Sequence, residues 1–472
     1  MVLQAEIGLI GVGVMGAALA LNMAEKGVTV AIHDKDFDKM QACADQAAHL
    51  SGHIVIAETP DALVGALAPP RPILMLAPAG VVDEVIAEYR PLLAKGDLLI
   101  DAGNANFHDT RRRTAALEAE GFAYLGIGVS GGAEGARHGP AIMAGGSRDL
   151  WARVEAPLTA IAARFNDEPC CAWFGPDGAG HFVKTIHNGV EYADMQMIAE
   201  AYGVMRDGLG MTAEAMSAVF KRWATGPLAS YLIEITGEAL ATVDTAAGAP
   251  LIDVIQDRAG QKGTGRWSAI EALHLAAPAP AIDAAVAARN LSARKTEREK
   301  VEALFGAAPQ PLNGALGSED AVVSLLEQAL LAGKIAAYAQ GFEVFKAASG
   351  EYAWGLDFAA IARGWRAGCI IRSVLLDDIA RALNDTPEVN LIATPFFVDM
   401  MWANEGGLRR IVAAAASHGL PAPALSSALS YFDQLRTGRG TANMIQIQRD
   451  FFGRHGFARI DREGDGWHGP WA

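Results

Sequence analysis

Cysteine is scarce in this sequence of 472 residues, and no two cysteines stand in a C-x-x-C spacing. Without that spacing the sequence predicts neither a zinc ribbon nor a redox dithiol, and we expect no bound metal. So few thiols are typical of buried or unreactive side chains in a reducing cytoplasm. The four cysteines are Cys43, Cys170, Cys171 and Cys369.

Basic residues are also few, since 39 lysines and arginines stand against 54 aspartates and glutamates, and the formal net charge is -15. Such a chain has no electrostatic reason to bind nucleic acid or an anionic membrane. No charge-free apolar run reaches about 18 residues, so we predict no transmembrane helix. The first residues have neither a basic stretch nor a cleavage site, so we predict no signal peptide and a cytoplasmic location.

The first part of the chain alternates short apolar runs with helical patterns, as at residues 17–25 and 82–93. This alternation predicts an α/β domain with a parallel, doubly wound sheet, which we assign to residues 1–178. A chain of this length should contain two or three domains. The predicted strands are residues 7–10, 28–32, 73–76, 98–100 and 124–129.

After about residue 180 the predicted strands stop, and long helical stretches follow, as at residues 183–205 and 320–346. Glycine and proline cluster at residues 174–180, where we place the domain boundary. The sequence therefore predicts an all-α domain over residues 179–435.

Two stretches of the helical part resemble each other, residues 199–223 and residues 339–365. Both have an aromatic-glycine helix, a glycine break and a helix that ends near tryptophan. The match predicts duplicated helical halves, although two alanine-rich helices could be alike by chance. Residues 436–472 are too polar for a core and too aromatic for a disordered tail, so we expect an extended arm that packs on another surface.

A glycine turn connects the first strand to the first helix. In the pattern G-x-G-x-x-G the first glycine allows a tight turn, the second lets the backbone approach a pyrophosphate, and the third lets helix and strand pack closely. Free N–H groups at the helix start can hold the phosphates, so the turn predicts a dinucleotide site. The turn consists of Gly11, Val12, Gly13, Val14, Met15 and Gly16.

Asp34 ends the second strand about 20 residues after the glycines, where a carboxylate can bind the adenosine ribose hydroxyls. An exposed turn residue is the alternative, and the neighbouring Lys35 could accept a 2′-phosphate.

Two further strands are followed by polar or glycine residues, at the edge where ligands bind in open α/β sheets. These residues are Asn104, Ser130, Gly131 and Gly132. The Ser-Gly-Gly turn offers a hydroxyl and N–H groups to a carboxylate, or is an ordinary turn.

The segment GHFVKTIHNGVEY predicts a helix with one polar stripe. Lys184, His187, Asn188 and Glu191 have the spacing i, i+3, i+4 and i+7 and would share one face, with Tyr192 beside it. For Lys184 and Glu191 alone, a solvated ion pair is the simpler interpretation. With the other polar residues, the stripe predicts an active site in which the lysine and the glutamate serve as base and acid.

Basic residues in later segments predict a phosphate site. Lys262 and Thr264 lie in a glycine-rich loop, Arg289 lies in a helix, and Arg449 and His455 lie in the tail. Together they would form the local basic cluster that an acidic protein needs to bind a phosphorylated substrate.

In their order along the chain, these motifs resemble the 6-phosphogluconate dehydrogenase family, and the resemblance covers essentially the whole chain. HNGVEY together with GQKGTG is highly specific. The motifs are GVGVMG, DAGN, SGGAEGARHGP, FVKTIHNGVEY, AGQKGTGRW, ARNLSARK and QRDFFGRHGF. The family implies a Rossmann-type domain, a duplicated helical domain and a C-terminal arm that reaches the other subunit of a homodimer.

The resemblance implies oxidative decarboxylation of 6-phospho-D-gluconate to D-ribulose 5-phosphate in the pentose phosphate pathway, without a metal. Lys184 would take the proton of the 3-hydroxyl as hydride leaves C3, and its ammonium would then stabilise the enolate formed as carbon dioxide leaves. Glu191 would donate a proton at C1.

The remaining roles are implied where residues match the family. The carboxylate and hydroxyls would be held by Asn104, Ser130, Gly131, Gly132, His187 and Asn188. The phosphate end would be held by Tyr192, Lys262, Thr264, Arg289 and Arg449. The partner chain would supply Arg449 and His455.

The sequence departs from the family pattern on the cofactor side. Where Asn-Arg-Thr is usual, this chain has Asp34, Lys35 and Asp36, and where Val-Lys-Ala is usual, it has Ala77, Pro78 and Ala79. The two carboxylates would repel a 2′-phosphate, and the proline replaces a cation, so we predict that NAD is preferred and NADP is possible.

Two other functions fit part of the sequence. A non-catalytic dinucleotide-binding protein would be expected to lack the lysine or the glutamate, and both are present. A 3-hydroxyacid dehydrogenase acting on an unphosphorylated acid would leave Lys262, Arg289 and Arg449 without a role.

Overall fold

The computed structural model describes residues 4–50 and 52–471, and its first part is built on one twisted sheet. The strands of this part are β1 (Ile7–Ile10), β2 (Val30–His33), β3 (Ile54–Ile56), β4 (Pro72–Met75), β5 (Leu98–Asp101), β6 (Ala123–Ser130), β7 (Ala141–Gly145), β8 (Arg164–Phe165), β9 (Glu168–Pro169) and β10 (Cys171–Gly175). Eight of them form the sheet in the order β10-β7-β6-β5-β4-β1-β2-β3, and β8 pairs with β9. The order reverses at β1, which places a ligand crevice at the carboxyl ends of β1 and β4.

The helices of this part connect the strands. They are α1 (Val14–Glu25), α2 (Phe37–Gln46), α3 (Pro60–Gly65), α4 (Val82–Tyr89), α5 (Phe107–Ala119), α6 (Gly132–His138), α7 (Arg148–Ala152) and α8 (Glu155–Ile161). Three of them begin at side-chain caps, because Asp36, Thr59 and Asn106 accept N–H bonds from the first turns of α2, α3 and α5.

The five predicted strands are confirmed with shifts of one or two residues at their ends, but the sheet has three further strands, β3, β7 and β10. β3 has three half-buried residues, and β7 (AIMAG) contains alanine and glycine, which are poor strand formers. The sheet is parallel except that β6 pairs with β7 in antiparallel fashion. The predicted parallel, doubly wound sheet is confirmed, with an antiparallel pairing at this one position.

The second part of the chain is helical. Its helices are α9 (Ala179–Gly203), α10 (Ala213–Trp223), α11 (Tyr231–Ala241), α12 (Leu251–Val254), α13 (Thr264–His274), α14 (Pro280–Ser292), α15 (Lys295–Phe305), α16 (Glu319–Glu351), α17 (Phe358–Gly364), α18 (Leu375–Asp385), α19 (Pro395–Ser417), α20 (Pro423–Leu435) and α21 (Ala442–Gly453). The expectation that strands stop is corrected by one small hairpin, formed by β11 (Val243–Asp244) and β12 (Ala249–Pro250).

The helical part contains the same arrangement twice. A long helix leads to a shorter helix that ends beside a buried tryptophan, Trp223 or Trp365, and an amphipathic helix follows. The two sets, α9–α11 and α16–α18, meet where Ser230 and Ser373 form an antiparallel bridge. This arrangement agrees with the predicted duplication.

α16 is long and apolar enough to cross a membrane by length and composition, but 78% of its most apolar window is buried inside the protein. It packs along α9 and α19, as expected for the central helix of a folded domain.

α9 packs against both the sheet part and the helical part of the chain. β10 ends at Gly175 and α9 begins at Ala179, so the chain passes from sheet to helices in three residues. Phe107 and Met143 of the first part belong to the same apolar core as Phe182 of α9. α9 is therefore held on the sheet and in the helical core at once.

The tail is not extended throughout, because it contains the helix α21. The residues after α21 fold around the fully buried Asp450 carboxylate. Its oxygens accept hydrogen bonds from the backbone N–H of Gly456 and Gly469, the Trp471 indole N–H and the His468 ring, at 2.7–2.9 Å. The tail is thus a small folded unit and not a simple arm.

Candidate active site

The glycine turn has the geometry that a bound pyrophosphate needs. Gly11 has φ +92°, which favours glycine, and a Cβ on Gly16 would lie 1.9 Å from the Gly11 carbonyl oxygen. Gly13 has nothing within 4 Å of the corresponding position, and no side chain caps the start of α1. The first N–H groups of α1 thus face open space, so the residues fit a dinucleotide.

Asp34 supports this turn directly. The backbone N–H of Val12 donates to Asp34 Oδ2 at 2.7 Å, and the N–H of Asp36 donates to Asp34 Oδ1 at 3.0 Å. The carboxylate therefore lies at the turn, next to the place where an adenosine ribose would lie.

Asp34 and Lys35 line one cleft with Ala77 and Pro78, and a short turn starting at Ala79 follows. Sequence reasoning missed three charged residues of this cleft: Lys39, Glu84 and Glu88. Lys35 lies 3.8 Å from Glu88, and Lys39 lies 3.3 Å from Asp36 and 4.0 Å from Asp34. Each lysine is thus already next to a carboxylate, and the cleft has no excess of positive charge.

The polar stripe of α9 lies under the end of β6. Lys184 Nζ donates to Ser130 Oγ at 3.0 Å and to Asn188 Oδ1 at 2.8 Å, and lies 3.2 Å from His187 Nδ1. Glu191 follows one turn later, with an oxygen 3.7 Å from His187 Nδ1. Five side chains that the sequence predicted for one site are therefore together.

Glycines on both elements allow α9 to approach the sheet so closely. A Cβ on Gly128 of β6 would lie 2.3 Å from the Lys184 Cβ, and a Cβ on Gly180 would lie 2.5 Å from the backbone nitrogen of Gly145. Any larger residue at these positions would push α9 outward. The approach buries Lys184, so only 6% of it is exposed.

This burial changes the acid–base behaviour of the site. Burial lowers the pKa of the Lys184 amine, and the nearby Glu191 carboxylate opposes that shift. Burial raises the pKa of Glu191, while Lys184 and Arg289 oppose it. Burial and the Lys184 charge hold the pKa of His187 well below its usual value. Burial thus shifts both pKa values towards the neutral forms, which are the forms that a base and an acid need.

Tyr192 and Arg289 form the next part of the pocket. The Arg289 guanidinium stacks 3.8 Å from the centre of the Tyr192 ring. The same ring packs on Gly265, where a Cβ would come within 2.4 Å, so the start of α13 lies against it. Thr264 is the first residue of α13, and Lys262 is exposed two residues before it. A basic rim is therefore present beside Glu191.

Three predicted residues lie outside this cluster. Asn104 is exposed on the loop after β5, which packs through Gly103 on the Ala77 carbonyl oxygen. Arg449 bonds to Gln446 of its own helix, and the His455 ring lies beside Phe452. Among residues 4–50 and 52–471, the hydrogen bonds and ion pairs of Arg449 and His455 do not reach the Lys184 cluster.

Sequence reasoning also missed the wall behind Lys184. The second helical repeat supplies it. Burial raises the pKa of the Cys369 thiol, and the nearby Lys184 charge opposes that rise, while the Trp365 ring meets the His187 ring edge-on at 5.5 Å. The Gly368 carbonyl oxygen would lie 2.6 Å from a Cβ on Gly131. No local pattern indicates these contacts, because the residues lie more than 170 positions from Lys184 along the chain.

A second buried network was missed beneath the site. The Tyr124 hydroxyl donates to Asp101 Oδ2 at 3.0 Å, and Arg113 NH1 lies 3.5 Å from the same oxygen. His181, one turn before Lys184 on α9, bonds to Thr110 at 2.7 Å. The sequence indicates that Asp101 lies at a strand end, but it does not indicate that the Asp101 side chain is buried.

Comparison with known proteins extends these observations. A family model described as “6-phosphogluconate dehydrogenase, C-terminal domain” matches residues 180–471, and one described as “NAD binding domain of 6-phosphogluconate dehydrogenase” matches residues 6–175. Two Bacillus subtilis proteins are similar to the chain over 99% of both lengths. They are the NAD(+)-dependent, decarboxylating 6-phosphogluconate dehydrogenase, at 43% identity, and its NADP(+)-dependent counterpart, at 42%.

A solved structure agrees with both results. The Plasmodium falciparum 6-phosphogluconate dehydrogenase, studied apo, with NADP+ and with 6-phosphogluconate, superposes with a TM-score of 0.94 at 37% identity. The match covers 99% of this chain and 100% of that one.

Proposed function

The chain belongs to the 6-phosphogluconate dehydrogenase family, and from this premise we propose that it oxidises and decarboxylates 6-phospho-D-gluconate to D-ribulose 5-phosphate. The reaction is NAD(P)-dependent, and its place is the pentose phosphate pathway. The observation that carries the proposal is the buried contact of Lys184 with Ser130 and Asn188, one helical turn from Glu191.

In the proposed mechanism, neutral Lys184 takes the proton of the substrate 3-hydroxyl. The bound nicotinamide ring supplies the hydride acceptor for C3. The resulting 3-keto acid has its carbonyl β to the carboxylate, so the electrons of the breaking C1–C2 bond can move onto the C3 oxygen. Protonated Lys184 stabilises that oxyanion, since it is a cation in a water-poor pocket.

Glu191 completes the sequence by donating its proton to the enol carbon from which carbon dioxide left, which becomes C1 of the product. Burial raises the pKa of Glu191, which favours the protonated form that this step needs. Ser130 and Asn188 hold the Lys184 amine in place through their oxygens. Asn104, Gly131, Gly132 and His187 complete the proposed cradle for the carboxylate and hydroxyls.

The test is the formation of reduced nicotinamide and carbon dioxide from 6-phosphogluconate in the presence of a chelator. We expect turnover with 6-phosphogluconate and none with unphosphorylated gluconate, which separates this function from that of a 3-hydroxyacid dehydrogenase. Lys184→Ala should lose turnover while it still binds the dinucleotide. Turnover by that variant would refute the mechanism, and inactivity of the wild-type chain would refute the function.

The phosphate would bind at the rim formed by Tyr192, Thr264, Arg289 and Lys262. Arg289 is held over Tyr192 and thus presents a planar, paired donor set suited to phosphate oxygens. Arg449 and His455 are proposed to come from a second copy of the chain, because the tail of one chain keeps them away from its own Lys184 cluster.

The surface supports a proposed homodimer. The tail helix exposes Met444, Ile445, Phe451 and Phe452, and such a row of apolar side chains is typical of a protein contact. A groove between α19 and α20, with Trp402 exposed, offers a second apolar surface. We also propose a cytoplasmic location, in keeping with four free, buried thiols.

We further propose that NAD is preferred over NADP. Both lysines of the adenosine cleft lie next to carboxylates, and Glu84 adds a further negative charge. A 2′-phosphate would therefore meet Asp34 and Asp36 without a free cation to offset the repulsion.

The measurement is kcat/KM with each cofactor under the same conditions. We expect a higher value with NAD, and Asp36→Arg should move the ratio towards NADP by removing a carboxylate and adding a cation. Asp38→Arg, two residues later in the first turn of α2, is the matched control. A higher kcat/KM with NADP for the wild-type chain would contradict the preference without touching the proposed reaction.

A further inference from the structure

Three side chains meet at the contact between the sheet part and the helical part, away from the Lys184 cluster. His108 lies in the first turn of α5, while Glu271 and His274 lie in the last turn of α13. His108 Nε2 lies 3.1 Å from Glu271 Oε2, and His274 Nδ1 lies 3.5 Å from the same oxygen. One possible ligand atom from each of the three residues lies within 4.8 Å of the other two.

These separations suit a single small cation. Zinc binds imidazole nitrogen and carboxylate oxygen at about 2.0–2.2 Å, and in a tetrahedral site this places neighbouring ligand atoms about 3.3 Å apart. Two imidazoles and a carboxylate favour zinc over magnesium or calcium, which prefer oxygen ligands. Modest side-chain movement would bring all three donors to one ion.

The carboxylate is already oriented for this role. Glu271 is only 3% exposed, and its other oxygen accepts a hydrogen bond from the Tyr352 hydroxyl at 2.6 Å. A buried ligand held by a second hydrogen bond is the arrangement that fixes metal ligands in proteins. The two histidines are about half exposed or more and border an open cavity, so an ion can reach them from solvent.

We propose that His108, Glu271 and His274 form a zinc site that joins the two parts of the chain. α5 directly follows the loop that carries Asn104, and α13 begins at Thr264. The two helices that carry the zinc ligands are therefore continuous with two segments proposed to bind the substrate. A bound ion would hold α5 and α13 at a fixed separation. The fourth position would remain open to water, as in other sites with three protein ligands. The site is separate from the proposed reaction, which needs no metal.

The experiment titrates chelator-treated, full-length protein with zinc chloride by calorimetry and follows its thermal unfolding. We expect one zinc per chain and a rise in Tm, whereas magnesium chloride should leave Tm unchanged. His108→Ala and His274→Ala should each weaken zinc binding at least about tenfold, since even the loss of a supporting residue has that effect. His138→Ala, which removes an exposed histidine beside Glu134, is the matched control and should bind zinc normally.

Two results would overturn the proposal. One is the absence of zinc binding in the wild-type chain, including the case in which His108→Ala lowers Tm but zinc adds nothing, because the cluster is then an ordinary hydrogen-bonded network. The other is zinc binding that both histidine variants retain. Turnover of 6-phosphogluconate is measured separately. Absence of zinc binding would leave the proposed function unaffected, and absence of turnover would leave the proposed zinc site unaffected.

Discussion

Lys184 and Glu191 illustrate how much of the chemistry is decided at single residues. Both lie on one face of α9, and burial shifts their pKa values in opposite directions, lowering that of the amine and raising that of the carboxyl. Each shift favours the neutral form, since a charged group loses hydration when it is buried. The residues thereby acquire roles that neither would have on an exposed helix.

The pH dependence of kcat/KM should reflect this pair. Activity rises with pH as Lys184 loses its proton, and it falls as Glu191 loses its own. Because the lysine value lies below 10.5 and the glutamate value above 4.5, the bell should be narrower than the span between those two ordinary values. A profile that is flat across that whole span would contradict the assignment.

Replacement of the acid gives a second prediction at this scale. Glu191→Gln should lower kcat by roughly 10²–10⁴-fold, the usual contribution of a general acid, because an amide cannot donate this proton in the same way. The cofactor Kd should not change. Glu234→Gln, an exposed position on α11, serves as the control, and an unchanged kcat for Glu191→Gln would refute the role.

At the scale of elements, α9 is the piece that connects the two parts. Its length and polar stripe follow from local spacing, but its burial depends on glycines in β6 and β7 that are more than 30 residues away. The order of the tail depends in a similar way on packing and not on a local pattern, since the residues after α21 fold around the Asp450 carboxylate. An extended arm was expected because the stretch is too polar for a core and too aromatic for a disordered tail.

Asp450 should therefore control the order of the whole tail. Asp450→Asn replaces one acceptor oxygen by an amide that faces the same N–H donors, which leaves a buried polar contact unmade. We expect faster hydrogen exchange over residues 454–471 and a fall in kcat/KM of about tenfold or more, since Arg449 adjoins Asp450.

The control for this prediction is Asp461→Asn, which alters an exposed pair with Arg459 in the same segment. It should leave both the exchange and kcat/KM unchanged. If Asp450→Asn loosens the tail but activity stays normal, the tail takes no part in the reaction.

At the scale of the whole molecule, the active site is proposed to be complete only between two copies of the chain. Lys184→Ala and Arg449→Ala should each be nearly inactive alone. Coexpressed, they should regain activity, because a mixed dimer contains one site with neither substitution. The chain that carries both substitutions is the control and should stay inactive. Two inactive variants that remain inactive together, with mixed dimers present, would contradict shared sites.

Short-range spacing determined much of this protein. The glycine turn, the strand ends and the i, i+3, i+4, i+7 stripe of α9 were predictable because each depends on residues within one turn or one helix. The structure brings Ser130, Lys184, His187, Asn188 and Glu191 together as that spacing implied. β7 (AIMAG) was not predictable, because alanine and glycine are weak strand formers that take this form when a neighbouring strand supplies hydrogen bonds. β3 (IVI) and β10 (CAWFG) contain good strand formers but are runs of only three and five residues, so the sequence did not distinguish them from loops.

Only the tertiary structure decided the surroundings of those residues. The wall of Trp365 and Gly368 behind the site, the pair of Asp101 and Tyr124, and the pair of His108 and Glu271 all join positions on different elements of the chain. His108 and Glu271 are separated by 163 residues. Sequence spacing cannot indicate such contacts, because they arise when two separately patterned elements pack, and packing depends on the shape of both surfaces.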